Sequence, residues 1–332
     1  MLSVIVPAYN AEQTLEGCLM ALTNQPLPSG AELEIIVVDD GSTDDTAALA
    51  HRYGVRVISQ VNAGPAAARN TGARAASGEL LLFTDADCVP AHDWAACMAA
   101  PFADPTVAGA KGTYRTTQSE PVARFVQIEY EDRYDRMCRQ EHIDFVDTYS
   151  AAYRRDVFLQ AGGFDATFPS ASVEDQEFSF RLAQAGHRLV FVPDARVVHL
   201  HDRTVVEYAR RKFWIGFWKA LVTSRYPAKL ASDSHTPQVL KVQMGLVGGG
   251  GVLLALGAIL RRRRLALAAV NCWVAFGVTT LSFLRKAWPK DRTIALLAPL
   301  LLFIRAVALG IGFALGNLRW LGTRFSIIKP DD

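Results

Sequence analysis

Three apolar runs crowd the C-terminal part of this 332-residue chain: MGLVGGGGVLLALGAIL (244–260), LALAAVNCWVAFGVTTLSFL (265–284) and IALLAPLLLFIRAVALGIGFALG (294–316). Crossing a bilayer takes about 20 apolar residues, and in lipid every backbone N–H and C=O must be satisfied within the segment, which leaves helices. The second and third runs meet that length. The first is shorter and rich in glycine. Residues 241–332 are therefore read as a transmembrane region of two to three helices, near 242–260, 265–284 and 294–316.

Charge divides the chain at the same place. Residues 1–230 carry 22 Lys+Arg against 29 Asp+Glu, whereas 231–332 carry 13 against 4. Arg261–Arg264 and RKAWPKDR (285–292) flank the second run at opposite ends, so both cannot obey the positive-inside tendency. Either one cluster lies outside, or the first two runs form an interfacial hairpin. VGGGGV (247–252) permits close helix packing and a homo-oligomer. Arg305, in the middle of the third run, is expensive facing lipid and is expected to face another helix or a headgroup. Before these runs, residues 204–240 contain TVVEYARRKFWIGFWKALVTSRYP, whose aromatic and basic residues suit a helix in the membrane interface; the alternative is a helix docked on the preceding domain.

The N-terminal MLSVIVPAYN lacks a basic leader and reaches Pro7 too soon for a signal peptide, so the first domain is expected on the cytoplasmic side. The five cysteines show no metal or disulfide spacing, and no nucleic-acid partner is read from the chain.

Through the first 110 residues, short apolar runs alternate with helical patterns. Strands are predicted at Ser3–Val6, Glu34–Val38, Val55–Ile58 and Leu80–Phe83, and helices at Ala11–Thr23, Thr43–Ala50 and Pro65–Ala76. Such alternation predicts a parallel sheet covered by helices, with ligands beyond the carboxyl ends of its strands. PAYN, DDGSTDD and TDADC all fall at that edge. From Lys111 to Tyr149 the pattern loosens around one predicted helix, VARFVQIEYEDRYDRM. Beyond it, AAYRRDVFLQAGGFD, ASVEDQEFSFRLAQAGHRLVFVP and ARVVHLHD predict helix, helix and two strands.

Within that edge, Asp85-Ala86-Asp87 follows an apolar strand. Hard divalent cations prefer carboxylate oxygen, and strand alternation would place Asp85 and Asp87 on one side of Ala86; capping of a following helix is the structural alternative. Asp40 reaches the crevice, where its carboxylate can accept from a nucleobase N–H or a ribose hydroxyl, while Ser42 or Thr43 suits a helix N-cap. Gly64 and Pro65 open a helix whose N–H groups favour an anion. Arg69, one turn in, is placed to reach a diphosphate, or else is a solvated arginine. Ser172-Val173-Glu174-Asp175 fits a capping box, which competes with a general-base role for Asp175. His199, and less so His201, is a candidate metal ligand that would favour Mn²⁺ over Mg²⁺.

SVIVPAYN, VVDDGSTDDT, GPAAARNTGARAASGE, FTDADC and GGFDATFPSASVEDQEFSFRLAQAG, in this order and spacing, resemble the family 2 glycosyltransferases of the GT-A fold, over roughly residues 1–230. The resemblance implies an α/β class: a nucleotide-sugar-binding domain with a Rossmann-like mixed sheet flanked by helices, assigned to 1–203, followed by transmembrane helices. It also implies a nucleotide-sugar donor, UDP- or GDP-linked, and inversion. Pro7, Ala8 and Tyr9 would line the nucleoside pocket and Asp40 would bind the base. Asp85 and Asp87 would flank Mg²⁺ or Mn²⁺ and the diphosphate, and Asp175 would be the catalytic base. The tail resembles the membrane-anchored bacterial members at the cytoplasmic membrane; an active site placed beside the bilayer then puts membrane lipids and a lipid-linked acceptor within reach, an expectation from architecture. Processive members carry Gln-x-x-Arg-Trp between base and spans. Here only GNLRW (316–320) comes near it, so a processive synthase ranks below single-sugar transfer, as does an inactive nucleotide-binding scaffold.

Overall fold

The computed structural model describes residues 1–27, 32–168, 173–231, 233–234 and 236–327, with side chains to 229 and from 233 to 320. Its internal contacts divide the chain into two units, 1–117 with 134–200, and 118–133 with 201–332.

The first unit is built on an eight-stranded sheet. In chain order it runs β1 (Leu2–Ala8), α1 (Leu15–Thr23), β2 (Leu33–Asp39), α2 (Thr46–Arg52), β3 (Arg56–Ser59), α3 (Pro65–Ala75), β4 (Leu80–Phe83), β5 (Val89–Pro90), α4 (Trp94–Ala99) and β6 (Val107–Arg115). The helix α5 (Pro121–Met137) passes between the units, and β7 (Ala151–Arg154), α6 (Arg155–Gln160), α7 (Glu174–Gln184) and β8 (Arg188–Val198) complete the unit. Strand order is β3-β2-β1-β4-β7-β6-β8-β5.

The first four strands in that order are mutually parallel, which sets PAYN, DDGSTDD and TDADC at one edge as the sequence predicts. Every residue of β1 is buried, because helices cover both faces of a parallel sheet. From β4 onward the sheet is mixed: β7 is antiparallel to both β4 and β6, and β5 to β8.

β6 is absent from the periodicity reading, and β7 corrects it: AAYR, read as the start of a helix, is a strand, and the helix begins only at Arg155. VAGAKGTYR has few β-branched residues and a central lysine, yet it is buried from Val107 to Tyr114; burial between neighbouring strands overrides the weak local preference. The two strands predicted near the end of this unit are one, β8. Its pairing with β6 slips between Phe191 and Arg196, around Pro193, where a missing N–H interrupts the ladder. Likewise α2 starts at Thr46, later than predicted, because Asn10 claims the preceding turn: Asn10 N donates to Ser42 Oγ at 3.0 Å and Thr43 N to Asn10 Oδ1 at 2.8 Å.

Phe83, Tyr153, Phe158, Phe164 and Phe178 form an aromatic cluster, with Phe178 5.0 Å from both Phe158 and Phe164 between ring centroids. Edge-to-face pairs of this kind add about 0.5–1.5 kcal/mol each beyond burial. Because Phe178 lies on α7, the cluster holds the helix that begins with Glu174 and Asp175.

In the second unit, α8 (Val205–Arg225), α9 (Pro227–Ala231), α10 (Gln238–Ile259), α11 (Arg263–Ala287) and α12 (Arg292–Ile327) join the first part of α5. Among the described residues, three helices are long and apolar enough to cross a membrane: Gln238–Ile259, Arg263–Ala287 and Arg292–Trp320. Thr204 and Glu207 form a capping box that starts α8. The helix then packs along α12 at glycines. A Cβ on Gly312 or Gly316 would run into the carbonyl oxygens of Phe213 and Phe217.

Arg305 faces protein. It donates to Glu129 Oε1 at 2.5 Å and to Gln243 Oε1 at 2.7 Å, while Glu129 Oε2 accepts from Tyr208 at 3.0 Å and lies 3.4 Å from Lys212 Nζ. The expense of a charge at that depth is thus offset by a carboxylate from α5.

Candidate active site

The acids at the end of β4 part company. β4 stops at Phe83, and Cys88 N donates to Asp85 O at 3.0 Å, so residues 85–88 form a turn and strand alternation does not govern them. Asp85 Oδ1 accepts from Arg69 Nη2 at 2.7 Å, whereas Asp87 Oδ2 lies 3.4 Å from His199 Nε2. Ala86 between them is buried. Neither acid caps α4, which follows Asp93.

The Asp87–His199 approach follows from strand pairing. Val89 of β5 pairs with Val198 of β8, so one step beyond each strand end Cys88 comes opposite His199. Tyr149 lies tilted against the imidazole at 4.6 Å between centroids. Asp87, Cys88 and His199 each offer a ligand atom, all within 4.8 Å of one another. Burial would push the Asp87 carboxyl up, but the His199 contact outweighs it and holds it below the usual range. The Cys88 thiol is pushed well up by burial and by Asp85 and Asp87. A carboxylate oxygen and an imidazole nitrogen therefore form the donor pair available to a divalent cation, a set that suits Mn²⁺. His201 stands apart in the second unit, its Nε2 3.1 Å from Gln127 Oε1.

Arg69 is only 2 % exposed, so it is not the solvated arginine that its isolated position in the sequence allows. Nη1 donates to Glu174 Oε1 at 3.1 Å while Nη2 holds Asp85. Glu174 is buried and opens α7. Val173, at that helix end, makes no side-chain cap, and Ser172, the proposed capping residue, lies outside the described residues.

Asp175 follows, half-buried, its Oδ1 accepting from Gln176 N at 2.7 Å. Burial, then the negative charges of Glu174 and Asp147, push its carboxyl well above the ordinary range against the pull of Arg69. Asp147 is itself buried in an ion pair with Lys111 of β6. Lys111, Asp147, Glu174 and Cys88 carried no signal in the sequence, because each gains its meaning from a partner on a distant segment.

At the ends of β1 and β2 the remaining residues take their places. Pro7 and Ala8 are buried, and Tyr9 is 52 % exposed at the sheet edge. Asp40, read from the sequence as a base-binding acid, is buried and accepts from Gln60 Nε2 at 2.7 Å, Ala63 N at 3.0 Å and Gly64 N at 2.8 Å. Asp40 thus stands against the Gly64 turn that opens α3. Gly64 adopts φ 88° there, a conformation that favours glycine.

A pre-mycofactocin glycosyltransferase of Mycobacterium tuberculosis is 30 % identical over an alignment covering 97 % of this chain and 72 % of that protein. Glycosyltransferase AglE of Haloferax volcanii is 28 % identical over 64 % of this chain and 71 % of its own length. Among solved structures, the mannosyltransferase PcManGT of Pyrobaculum calidifontis, in complex with GDP-Man and Mn²⁺, shares this fold at a TM-score of 0.58 and 24 % identity, covering 96 % of this chain and 86 % of that one. With residues 3–161 matching the model of Glycosyl transferase family 2, and a relative of this identity aligned along nearly the whole sequence, the chain belongs to that family of glycosyltransferases.

Proposed function

We propose that this protein transfers one sugar, with inversion, from a UDP- or GDP-linked donor to a lipid-linked acceptor at the cytoplasmic face of a membrane. The observation that carries the reading is the meeting of Asp87 with His199 beside the Arg69–Asp85 pair, in the unit that also presents Asp175. Asp87 and His199 would hold the divalent cation and Asp85 would stand on the diphosphate side. When bound, such a cation offsets the charge developing on the leaving diphosphate. Tyr9, with Pro7 and Ala8 behind it, presents an exposed ring to the nucleoside. Asp175 takes the proton of the acceptor hydroxyl as that oxygen bonds to the anomeric carbon. A carboxyl held above its ordinary range is the better matched to that task. The domain assignment 1–203, 204–240 and 241–332 belongs to the same reading: an active domain, a juxtamembrane segment and three spans that keep the enzyme beside its lipid.

A second acceptor is favoured by one observation. The pre-mycofactocin glycosyltransferase aligns over 97 % of this chain, the apolar helices included, which supports an acceptor of the kind that relative's name gives. Calorimetry of the purified protein with Mn²⁺ against UDP- and GDP-sugars fixes the donor. Radiolabelled transfer is then partitioned between butanol and water after incubation with a membrane lipid extract or with the soluble fraction of a cell extract. Label in the lipid phase bears out the first acceptor; label only in the aqueous phase gives the second. Absence of any nucleotide-sugar binding in Mn²⁺ overturns the donor reading.

A further inference from the structure

One side chain joins the two acid-bearing motifs. Arg69 and Asn70, adjacent on α3, grip both ends of the stretch that leads into α7. Asn70 accepts from Phe164 N at 2.9 Å and donates to Phe164 O at 2.7 Å, and Arg69 holds Glu174 at the other end. Arg69 simultaneously holds Asp85. A planar guanidinium fixes the angle between its two bonds, a constraint that a lysine ammonium cannot impose. Both carboxylates are largely shielded, with side-chain exposures of 19 % for Asp85 and 3 % for Glu174, so screening by solvent is weak. Val173 supplies no side-chain cap to the first turn of α7, and Arg69 grips Glu174 in that turn.

We propose that Arg69 is a positioning residue. By holding Asp85 and Glu174 on one guanidinium, it sets the direction of the Asp175 carboxyl with respect to the donor-side acid. The inference rests on the reading of Asp175 as the base and adds how that base is aimed. With both Nη groups engaged, Arg69 acts on the reaction through these acids and does not itself grip the diphosphate.

The test uses the full chain in detergent with Mn²⁺ and whichever of UDP or GDP it binds, following nucleotide affinity by calorimetry and turnover of the matching nucleotide sugar. Glu174→Ala and Arg69→Lys are each expected to lower kcat about 10- to 100-fold, the scale of a small misplacement of a catalytic group, with nucleotide Kd changed less than about 2-fold on that same geometric account. Combined with Asp85→Asn, Glu174→Ala should cost little more than the worse single change, because both cut one bridge. Should Glu174→Ala not fold, Glu174→Gln carries the same cycle. Additive losses, or unchanged kcat per folded molecule with only a lower melting temperature, overturn the proposal. So does a nucleotide affinity that collapses in Arg69→Lys alone, which would return Arg69 to the diphosphate. Asp175→Asn is run beside these: full turnover there removes the base assignment, while the cycle still reports on the bridge.

Discussion

A carboxyl such as Asp175 owes its properties to three neighbours more than to its own chemistry. Burial, Glu174 and Asp147 raise it, and Arg69 only partly offsets them. A base must be ionised to act, so kcat should fall as pH drops through a value above the ordinary carboxylate range. A kcat–pH profile whose acid limb lies within the range of an exposed aspartate contradicts this environment. Asp175→Asn should lower turnover about 100-fold or more and leave nucleotide affinity near normal; full turnover would indicate an acceptor that arrives already ionised. On the donor side, Asp87→Ala and His199→Ala should each weaken Mn²⁺ binding while Asp175→Asn does not, as read by manganese electron paramagnetic resonance. Unchanged Mn²⁺ affinity in both removes them as ligands. Asp85 and Asp87 were legible as a pair of acids two residues apart. Their separation, one to Arg69 and one to His199, was not, because it depends on a turn closed by Cys88.

Among the elements, β1, β2, β4 and α3 announced themselves through runs and turn residues, and each lies where its pattern put it within a few residues. β6 and β7 did not, since what makes them strands is their mutual pairing and burial. The turn before α7 shows how one element fixes another. Gly163 has φ 69°, and a Cβ there would strike the Asn70 amide that binds Phe164. Gly163→Ala should therefore cost more than the roughly 1–2 kcal/mol of a left-handed backbone alone. Thermal melting checks this, and a melting temperature equal to the parent's would show that the loop relaxes freely. Gly162 beside it also has a positive φ, so the pair GG before Phe164 is a backbone requirement legible in the sequence. Its partner Asn70, 94 residues away, is not.

At the scale of the whole molecule, the second unit hides an ionic knot that its sequence shows only as a stray arginine. Glu129 is shared by Arg305 and Lys212, and burial together with nearby arginines draws the lysine down to about 7 despite the carboxylate. Breaking a buried pair on one side costs about 3–5 kcal/mol because a charge is left unmatched. Glu129→Leu should accordingly lower the melting temperature in detergent, and Glu129→Leu with Arg305→Met should recover much of it. Equal losses in single and double variants would mean that the charges do not act on each other.

Apolar runs and alternating patterns, properties of consecutive residues, were enough for the sequence by itself to determine two of the three long apolar helices, the strands and helices as far as Phe83, and the sheet edge where the acids emerge. Only the tertiary structure decided which acid meets Arg69 and which meets His199, that Asp147 comes near Asp175, and that Arg305 finds Glu129. Those are through-space pairings of segments tens to well over a hundred residues apart. Electrostatic energy depends on the distance between charges and on their burial, and a linear pattern carries neither.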